Sequence, residues 1–589
     1  MFNYVSTKTE YKSPFGAVQE GQPVTFRVQA DTQPNLVYHY DGVQERTCIP
    51  MEYEGDGFYK AAVSFDPAGL YFYHFELEYP DRRTSTGVQN GMGIEGDWLD
   101  EWQLTVYEKD FTTPDWVKGG IMYQIFPDRF CRSMKYTPGE TVNKRHIHEN
   151  WYDVPEFIYD TPDFKADDFF GGNIDGVIEK LGYLKALGVT MIYFNPIFES
   201  PENHRYSTGN YRKIDPYFGT NEDFERLTKE CEKVGIRVIL DGVFSHTGAD
   251  SIYFNKFNHY ESVGAYNSKE SPYYHWYSFN DDGTYQCWWN FDNLPNVNET
   301  APDYLEYITG NDTGVLNFWQ SKGASGWRLD VADELPDLFI DKLRESVKTF
   351  DKDAFIIGEV WEDATNKFAY HQRRRYLIGK QLDSVMNYPW RTAVINFIKN
   401  GNGRDFERAV MSIAENYPPQ VLDCLMNSLS THDTPRIINE FGVEHEVEPE
   451  DYAGYTLTPE EYNKGKESLM KAAFLQFTLP GIPCVYYGDE VGLTGFKDPY
   501  CRMCYPYGRE DVKLLDYFRA LAKVRTENND CFKGGIEFIA ATDDFISYKR
   551  NNIICTLSLR GELPPTDKKV LFETAYCRIE WAKKIAQTV

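Results

Sequence analysis

No run in this chain approaches the roughly 20 consecutive apolar residues that a bilayer-crossing helix requires. The first residues, Met1-Phe2-Asn3-Tyr4-Val5-Ser6-Thr7-Lys8, lack a charged stretch followed by an apolar one, so a cytoplasmic location is expected rather than secretion. Basic charge is in short supply. Lys and Arg number 61 against 90 Asp and Glu, a formal net charge of −29. That argues against nucleic acid or an anionic membrane as partner, since both select basic patches; an uncharged ligand stays compatible. The 11 cysteines are odd in number and scattered, which fits reduced thiols better than a disulfide framework. Cys501-x-x-Cys504 has no second pair nearby to complete a four-ligand zinc site, so no metal site is expected. Repeats and low-complexity tracts are also missing.

What is present is aromatic surface and strand-end carboxylates. Aromatics reach 16%, with 43 Tyr and 12 Trp. They fill cores, and they also offer flat platforms with a polar rim on which sugar rings stack. In Gly326-Trp327-Arg328-Leu329-Asp330-Val331 a strand pattern ends in an acid. Alternation along a strand points Arg328 and Asp330 one way and Trp327, Leu329 and Val331 the other. A guanidinium beside Asp330 is expected to hold it ionised. Ala354-Phe355-Ile356-Ile357-Gly358-Glu359, Cys424 to Asp433, and Arg237-Val238-Ile239-Leu240-Asp241 through His246 repeat the pattern, each an apolar run that delivers an acid or imidazole at its end. One such run is ambiguous with a helix cap. Four in a chain of alternating strands and helices predict one site at the C-terminal face of a parallel barrel.

A chain of 589 residues predicts two to four domains. Residues 1–110 read as an N-terminal β-sandwich of short alternating strands, such as Pro23-Val24-Thr25-Phe26-Arg27-Val28-Gln29. Residues 113–530 read as an α/β domain. Asn173 caps a helix with apolar residues at Ile174, Val177, Ile178, Leu181, Leu184 and Leu187, and Gly188 ends it. A second helix starts near Asn221, carries Phe224, Leu227, Cys231 and Val234 on one face, and ends at Gly235. Eight strands, ending near Pro127, Asn195, Asp241, Asp330, Glu359, Asn387, Ser430 and Gly488, predict a (β/α)8 TIM barrel. Residues 247–313, rich in Tyr, Asn, Trp and His without helix period, are expected to form an inserted subdomain after strand 3, over the site. A last helix around Val512–Arg525 precedes a small C-terminal all-β domain over 531–589.

These motifs resemble the α-amylase family of glycoside hydrolases (family 13). The match rests on Asp241-Gly242-Val243-Phe244-Ser245-His246, Gly326-Trp327-Arg328-Leu329-Asp330, Gly358-Glu359-Val360-Trp361, Ser430-Thr431-His432-Asp433 and Gly481 to Glu490. Within the family the chain is most similar to the neopullulanase, cyclomaltodextrinase and maltogenic amylase branch, or to the neighbouring amylopullulanases. The N-terminal β module, Asn203-His204-Arg205-Tyr206 and Gly492-Leu493-Thr494-Gly495 with Asp498 and Arg502 carry that likeness. Two departures stand out. Arg205-Tyr206-Ser207-Thr208 lacks the carboxylate usual in the branch, which leaves the specificity of the non-reducing-end subsites open. The loop Cys131-Arg132-Ser133-Met134-Lys135 lacks the Asn/Asp-rich calcium motif, so no obligatory cofactor is expected and calcium is not predicted there.

The resemblance implies retaining hydrolysis of α-1,4-glucosidic bonds in maltooligosaccharides and starch-derived glucans, with α-1,6 bonds left open, by two carboxyls about 5–5.5 Å apart. Asp330 would be the nucleophile, Glu359 the acid and base, and Asp433 the third acid, binding sugar hydroxyls. Arg328, His246 and His432 would bind the same sugar. Tyr206 would stack on it, Trp361 would line the leaving-group side, and Asp498 with Arg502 would hold a second sugar at the far end. A 4-α-glucanotransferase on the same scaffold is the alternative, differing only in whether water or a sugar resolves the glycosyl-enzyme. A non-enzymatic carbohydrate-binding role fits poorly with three intact acids. Relatives often dimerise through the N-terminal module, so a homo-oligomer is expected.

Overall fold

The computed structural model describes residues 2–156 and 166–583. The N-terminal part forms two packed sheets. One runs Phe2–Asn3, Pro23–Ala30, Phe58–Ser64 and Glu52–Gly55, with Lys12–Ser13 alongside. The other is built around Gly69–Glu78, flanked by Pro34–Tyr40, Arg83–Gln89 and Trp102–Tyr107. Strand Pro23–Ala30 alternates strictly, so Val24, Phe26 and Val28 face Tyr73, Phe75 and Trp102 in the core.

Eight parallel strands follow: β1 Met122–Ile125, β2 Met191–Phe194, β3 Arg237–Gly242, β4 Gly326–Leu329, β5 Phe355–Gly358, β6 Ser384–Val385, β7 Met426–Ser428 and β8 Ile482–Tyr486. They pair in sequence order, β8 returns to β1 on one side and β7 on the other, and a parallel bridge between Met386 and Met426 closes the barrel. Seven of the eight strands are buried along their whole length, and β3 is exposed only at Arg237, because helices cover the outside and side chains fill the inside. The period of two sorts them. Tyr123, Ile125, Ile192, Phe194, Val238, Leu240, Trp327 and Leu329 face the helices. Met122, Met191, Tyr193, Ile239, Phe355, Ile357, Met426 and Cys484 face the lumen. Each inward row ends at the top in chemistry: Met191 and Tyr193 lead to Asn195, Ile239 to Asp241, and Phe355 and Ile357 to Glu359. The lumen core therefore aims the polar groups above it.

The helix expected from Asn173 to Gly188 forms as two pieces, Ile174–Glu179 and Leu181–Ala186. Asn173 accepts from the Gly176 N–H as foreseen. Lys180, however, sits at φ −98°, ψ 0° with its N–H on Val177 O, a tight turn that breaks the helical ladder. The second helix is Asn221–Lys233, capped by a reciprocal Thr220–Asp223 box. The segment after β3 is mostly irregular, with single turns at Tyr274–Trp276 and Trp288–Asn290. Its last part departs from the expectation of no helix. Pro302–Thr309 is α-helical, with Pro302 at the first helical position and Tyr304, Ile308 and Thr309 buried. The C-terminal strands from Glu537 to Trp581 form one five-stranded antiparallel sheet. Buried Arg550 anchors it to the barrel by donating to Thr478 O and Phe532 O.

Candidate active site

Arg328 is the hub of the site. Fully buried on β4, it donates from Nη1 to Asp330 Oδ1 at 2.7 Å and to Asp241 Oδ1 at 2.8 Å, and from Nη2 to Glu359 Oε2 at 2.7 Å. Strand register makes this possible, because Asp241 lies opposite Arg328 on β3 and Glu359 follows β5 beside it. Val331, immediately after Asp330, adopts φ 39°, a left-handed conformation that a β-branched residue resists. It directs the Val331 N–H onto Glu359 Oε2 at 2.9 Å. Trp361 Nε1 donates to Glu359 Oε1 at 3.1 Å, so both oxygens of Glu359 are fixed.

Three carboxylates thus share one guanidinium, which alters the expected electrostatics. Burial pushes Asp330 well above the usual carboxylate range. Arg328 opposes this, and the neighbouring charges of Glu359 and Asp241 reinforce it. The Arg328 pairing does not by itself hold Asp330 ionised, as the sequence suggested. Asp241 is raised as well, by burial first, against Arg328.

A second network surrounds Tyr206. Its hydroxyl donates to Asp241 Oδ2 at 2.8 Å and receives Asn195 Nδ2 at 3.0 Å. His432 Nε2 stands 2.5 Å from the same hydroxyl and 3.2 Å from Asp433 Oδ2. Gln124 Nε2 donates to His432 Nδ1 at 3.1 Å, which leaves the His432 proton on Nε2, facing the site. Burial, then Arg502 and Arg328, hold His432 far below the usual imidazole range, so it is neutral. His246 is buried with Nδ1 3.1 Å from Ser245 Oγ, and burial lowers it to about 4.

Asp433 stands at the mouth, with about 33% of its side chain open to solvent. Burial and the charge of Glu359 push it up to about 7, against Arg502 and Arg328. Its water-facing side tempers that push.

The sequence-derived set converges. Asp330, Glu359, Asp433, Arg328, His432 and Tyr206 are linked by the contacts above. Trp361 is 46% exposed and lies flat on Tyr388, centroids 3.8 Å apart. Arg502 stands nearer the centre than a far-end subsite implies. It pairs with Asp498 at 2.8 Å, donates from Nε to His432 O at 3.0 Å, and approaches Asp433 within 3.7 Å. Ser207 is buried against Ser200 Oγ at 2.9 Å, so the missing carboxylate is replaced by a structural contact. Cys501 is a buried thiol that donates to His432 O.

Sequence reasoning missed several members. In sequence Asp241 is one more strand-end acid, yet in the structure it orients both Arg328 and Tyr206. Gln124, Tyr193 and Asn195 are inward strand positions, legible from the period alone. Trp289 on the inserted segment is 74% exposed and donates to Glu334 Oε1 at 3.2 Å; Tyr370 also hydrogen-bonds Glu334. Nothing local marked these.

Among the described residues one group, His146, His148 and Glu156, brings metal-type ligand atoms within 4.8 Å of one another. These atoms already pair: His146 with Glu156 at 3.0 Å, and His148 with Asp168 at 3.1 Å. Asp128, beside the loop where calcium was not predicted, spends its oxygens on the N–H groups of Phe170 and Gly171 and on Arg129 Nε. No described helix is long and apolar enough to cross a membrane.

A parallel barrel with an inserted segment after its third strand, carrying an Asp on strand 4, a Glu after strand 5 and a His-Asp after strand 7, defines a carboxylate-based glycoside-hydrolase scaffold. The family model "Alpha amylase, catalytic domain" matches residues 124–534, and the chain belongs to the α-amylase family. It is 36% identical over 609 residues to an amylopullulanase of Thermoanaerobacterium saccharolyticum, covering 92% of this chain and 46% of that protein. It is 32% identical over 499 residues to a cyclomaltodextrinase of Bacillus sp., covering 80% of each. The chain spans less than half the length of the curated amylopullulanases it matches. Among solved structures, a cyclic α-maltosyl-(1→6)-maltose hydrolase of Arthrobacter globiformis superposes with TM-score 0.64 at 28% identity, covering 77% of this chain and 92% of that one. The type III pullulan hydrolase of Thermococcus kodakarensis shares the fold over 99% of this chain, at TM-score 0.69 and 24% identity.

Proposed function

We propose that this chain is an α-glucan hydrolase that cleaves α-1,4-glucosidic bonds of maltooligosaccharides with retention, through a covalent glycosyl-enzyme. The observation that carries the reading is the single guanidinium of Arg328 held 2.7 Å from both Asp330 and Glu359, with neutral His432 and Asp433 facing the same space. The proposed reaction requires Asp330 charged beside Arg328 and a proton on Glu359 once substrate is bound. Asp330 then attacks the anomeric carbon while Glu359 protonates the departing oxygen. In the second step Glu359 takes a proton from water, the water oxygen bonds to the anomeric carbon, and the bond to Asp330 breaks, restoring its carboxylate. His432, Asp433 and His246 would hold the sugar in the distorted ring form. Trp361 would face the leaving group, since its indole already rests on Glu359.

The test is a product time course on maltotetraose, pullulan and β-cyclodextrin with a Glu359→Gln control. Maltose or glucose from the oligosaccharide, absent in the control, supports the reading; panose from pullulan extends it to the α-1,6-containing substrate class. Turnover by Glu359→Gln overturns it. A second reading, transfer of the glycosyl group to a sugar, draws on the exposed Trp289 and Tyr370 around Glu334, which offer a platform for an acceptor. The same proposal includes cytoplasmic placement and self-association through the N-terminal sheets, which sedimentation would test.

A further inference from the structure

The loop that follows Glu359 is tied to the N-terminal part at Thr365, Asn366 and Arg373. Gln103, on the strand Trp102–Tyr107, donates from Nε2 to Thr365 Oγ1 at 2.7 Å and accepts Asn366 Nδ2 at 2.9 Å. Arg373 Nε donates to Asp41 Oδ2 at 2.8 Å. Between them the loop forms a two-stranded finger, Phe368–Ala369 paired with Gln372–Arg373. Its tip residues Tyr370 and His371 take φ 50° and 65°, the left-handed pair of a tight hairpin turn usually given to Asn and Gly. Phe368 and Tyr370 are 62% and 65% exposed. A strained turn bearing exposed aromatics needs an external hold, and the N-terminal sheets supply it.

The rest of the loop leads into the site. Trp361 starts it, on Glu359. Lys367 Nζ pairs with Asp333 Oδ2 at 3.0 Å, and Tyr370 meets Glu334, both residues a few positions past Asp330. The base of the loop is held through the barrel as well. Asn416 donates to Asp363 at 2.8 Å, and its neighbour Glu415 pairs with fully buried Lys12 of the N-terminal part at 2.6 Å. On the reading above, in which Trp361 faces the leaving group, the finger stands on that side of Glu359, where water or a sugar later arrives.

We propose that the N-terminal sheets act within the same chain as a brace that sets the finger Phe368–Arg373, with Gln103, Asp41 and Arg373 as positioning residues for the acceptor side. The brace tunes how well a sugar competes with water for the glycosyl-enzyme. The inference rests on the glycosyl-enzyme reading above. Neither Gln103 nor Asp41 touches the reacting groups.

The experiment uses the full chain with α-maltosyl fluoride as donor, because fluoride leaves without needing sugar contacts on the acceptor side. Fluoride release in water is compared with transfer to added glucose for wild type, Gln103→Leu, Asp41→Arg and the swap Asp41→Arg with Arg373→Asp. Both single variants are expected to release fluoride within about twofold of wild type while the transfer-to-hydrolysis ratio falls at least about fivefold, and the swap is expected to recover it. An unchanged ratio, or release and transfer falling in the same proportion, overturns the brace. Wild type that releases no fluoride overturns the glycosyl-enzyme reading and the inference with it.

Discussion

Tyr206 and His432 face each other with ring planes 5° apart, and the Tyr206 hydroxyl lies 2.5 Å from His432 Nε2. The same hydroxyl donates to Asp241 Oδ2, so it joins the imidazole to the carboxylate cluster through one atom. Tyr206→Phe keeps the stacking face and removes that atom. Loss of one buried hydrogen bond to a charged acceptor is worth about 1.5–3 kcal/mol, so kcat is expected to fall about 10- to 100-fold with KM within about threefold. Steady-state kinetics on maltotriose check it. A variant with unchanged kcat would mean that the hydroxyl only fills space.

The roles of Asp330 and Glu359 separate by chemistry as well as by rate. Each loss is expected to lower kcat on maltooligosaccharides by at least about 1000-fold. With α-maltosyl fluoride and added azide, Glu359→Ala still forms the glycosyl-enzyme, and azide entering from the water side gives the α-azide. Asp330→Ala has no nucleophile, so azide attacks directly and gives the β-azide. NMR of the products reads the difference. The reverse pattern would exchange the two assignments.

The barrel and the proposed catalytic acids were legible because parallel strands buried on both faces read as short apolar runs, and the polar residue that ends each run has nowhere to go but the top. Arg328 and Asp330 on one face of β4 followed from the period of two. What was not legible arises between elements. The division of Arg328 among three carboxylates depends on the stagger of β3, β4 and β5. Ser207 reads as a lost subsite acid until its burial against Ser200 is seen. Trp289, Glu334 and Tyr370 come from three separate segments without periodicity, and the tie from Gln103 to Thr365 spans distant parts of the chain. The helix break at Lys180 was hidden because the apolar spacing continues through it.

Calcium removal is expected to leave the proposed activity and the fold intact. Asp128 already accepts from two backbone N–H groups and from Arg129 Nε, and the Asn/Asp-rich run that would supply further oxygen ligands is missing from the loop after it. Dialysis against EDTA should change the rate on maltotetraose by less than about twofold and leave the melting temperature unmoved. A large calcium-reversible loss would place an ion elsewhere in the chain.

Asp498 reaches its partner Arg502 from an exposed position, whereas Arg502 is buried and also supports His432. Asp498→Ala is therefore the cleaner probe of the proposed outer sugar site. It is expected to raise KM for maltotriose about 3- to 10-fold and to leave kcat on α-maltosyl fluoride nearly unchanged. Arg502→Ala should lower kcat as well, because the main-chain anchor of His432 is lost with it. Equal behaviour of the two variants would argue against a separate outer contact.

Asp433 supplies a pH-dependent prediction with a definite sign. In the folded chain burial and Glu359 raise it to about 7, whereas in the unfolded chain it titrates near about 3.9. Between those values the folded state holds a proton that the unfolded state has released, so stability falls as pH rises through this window. The cost is complete above pH 7 and absent below about pH 4. Asp433→Asn cannot ionise and escapes it. The variant is expected to melt higher than wild type at pH 8, by about 1–2 °C given the open side of the residue, with the difference shrinking to nothing toward pH 4. It should nonetheless lose at least about 100-fold in kcat, since the sugar contacts need the carboxylate. Thermal melts of both proteins across pH 4 to 9 decide it. A stability difference that is constant with pH, or that grows on acidification, would mean that Asp433 is ionised throughout and that its burial costs the fold nothing.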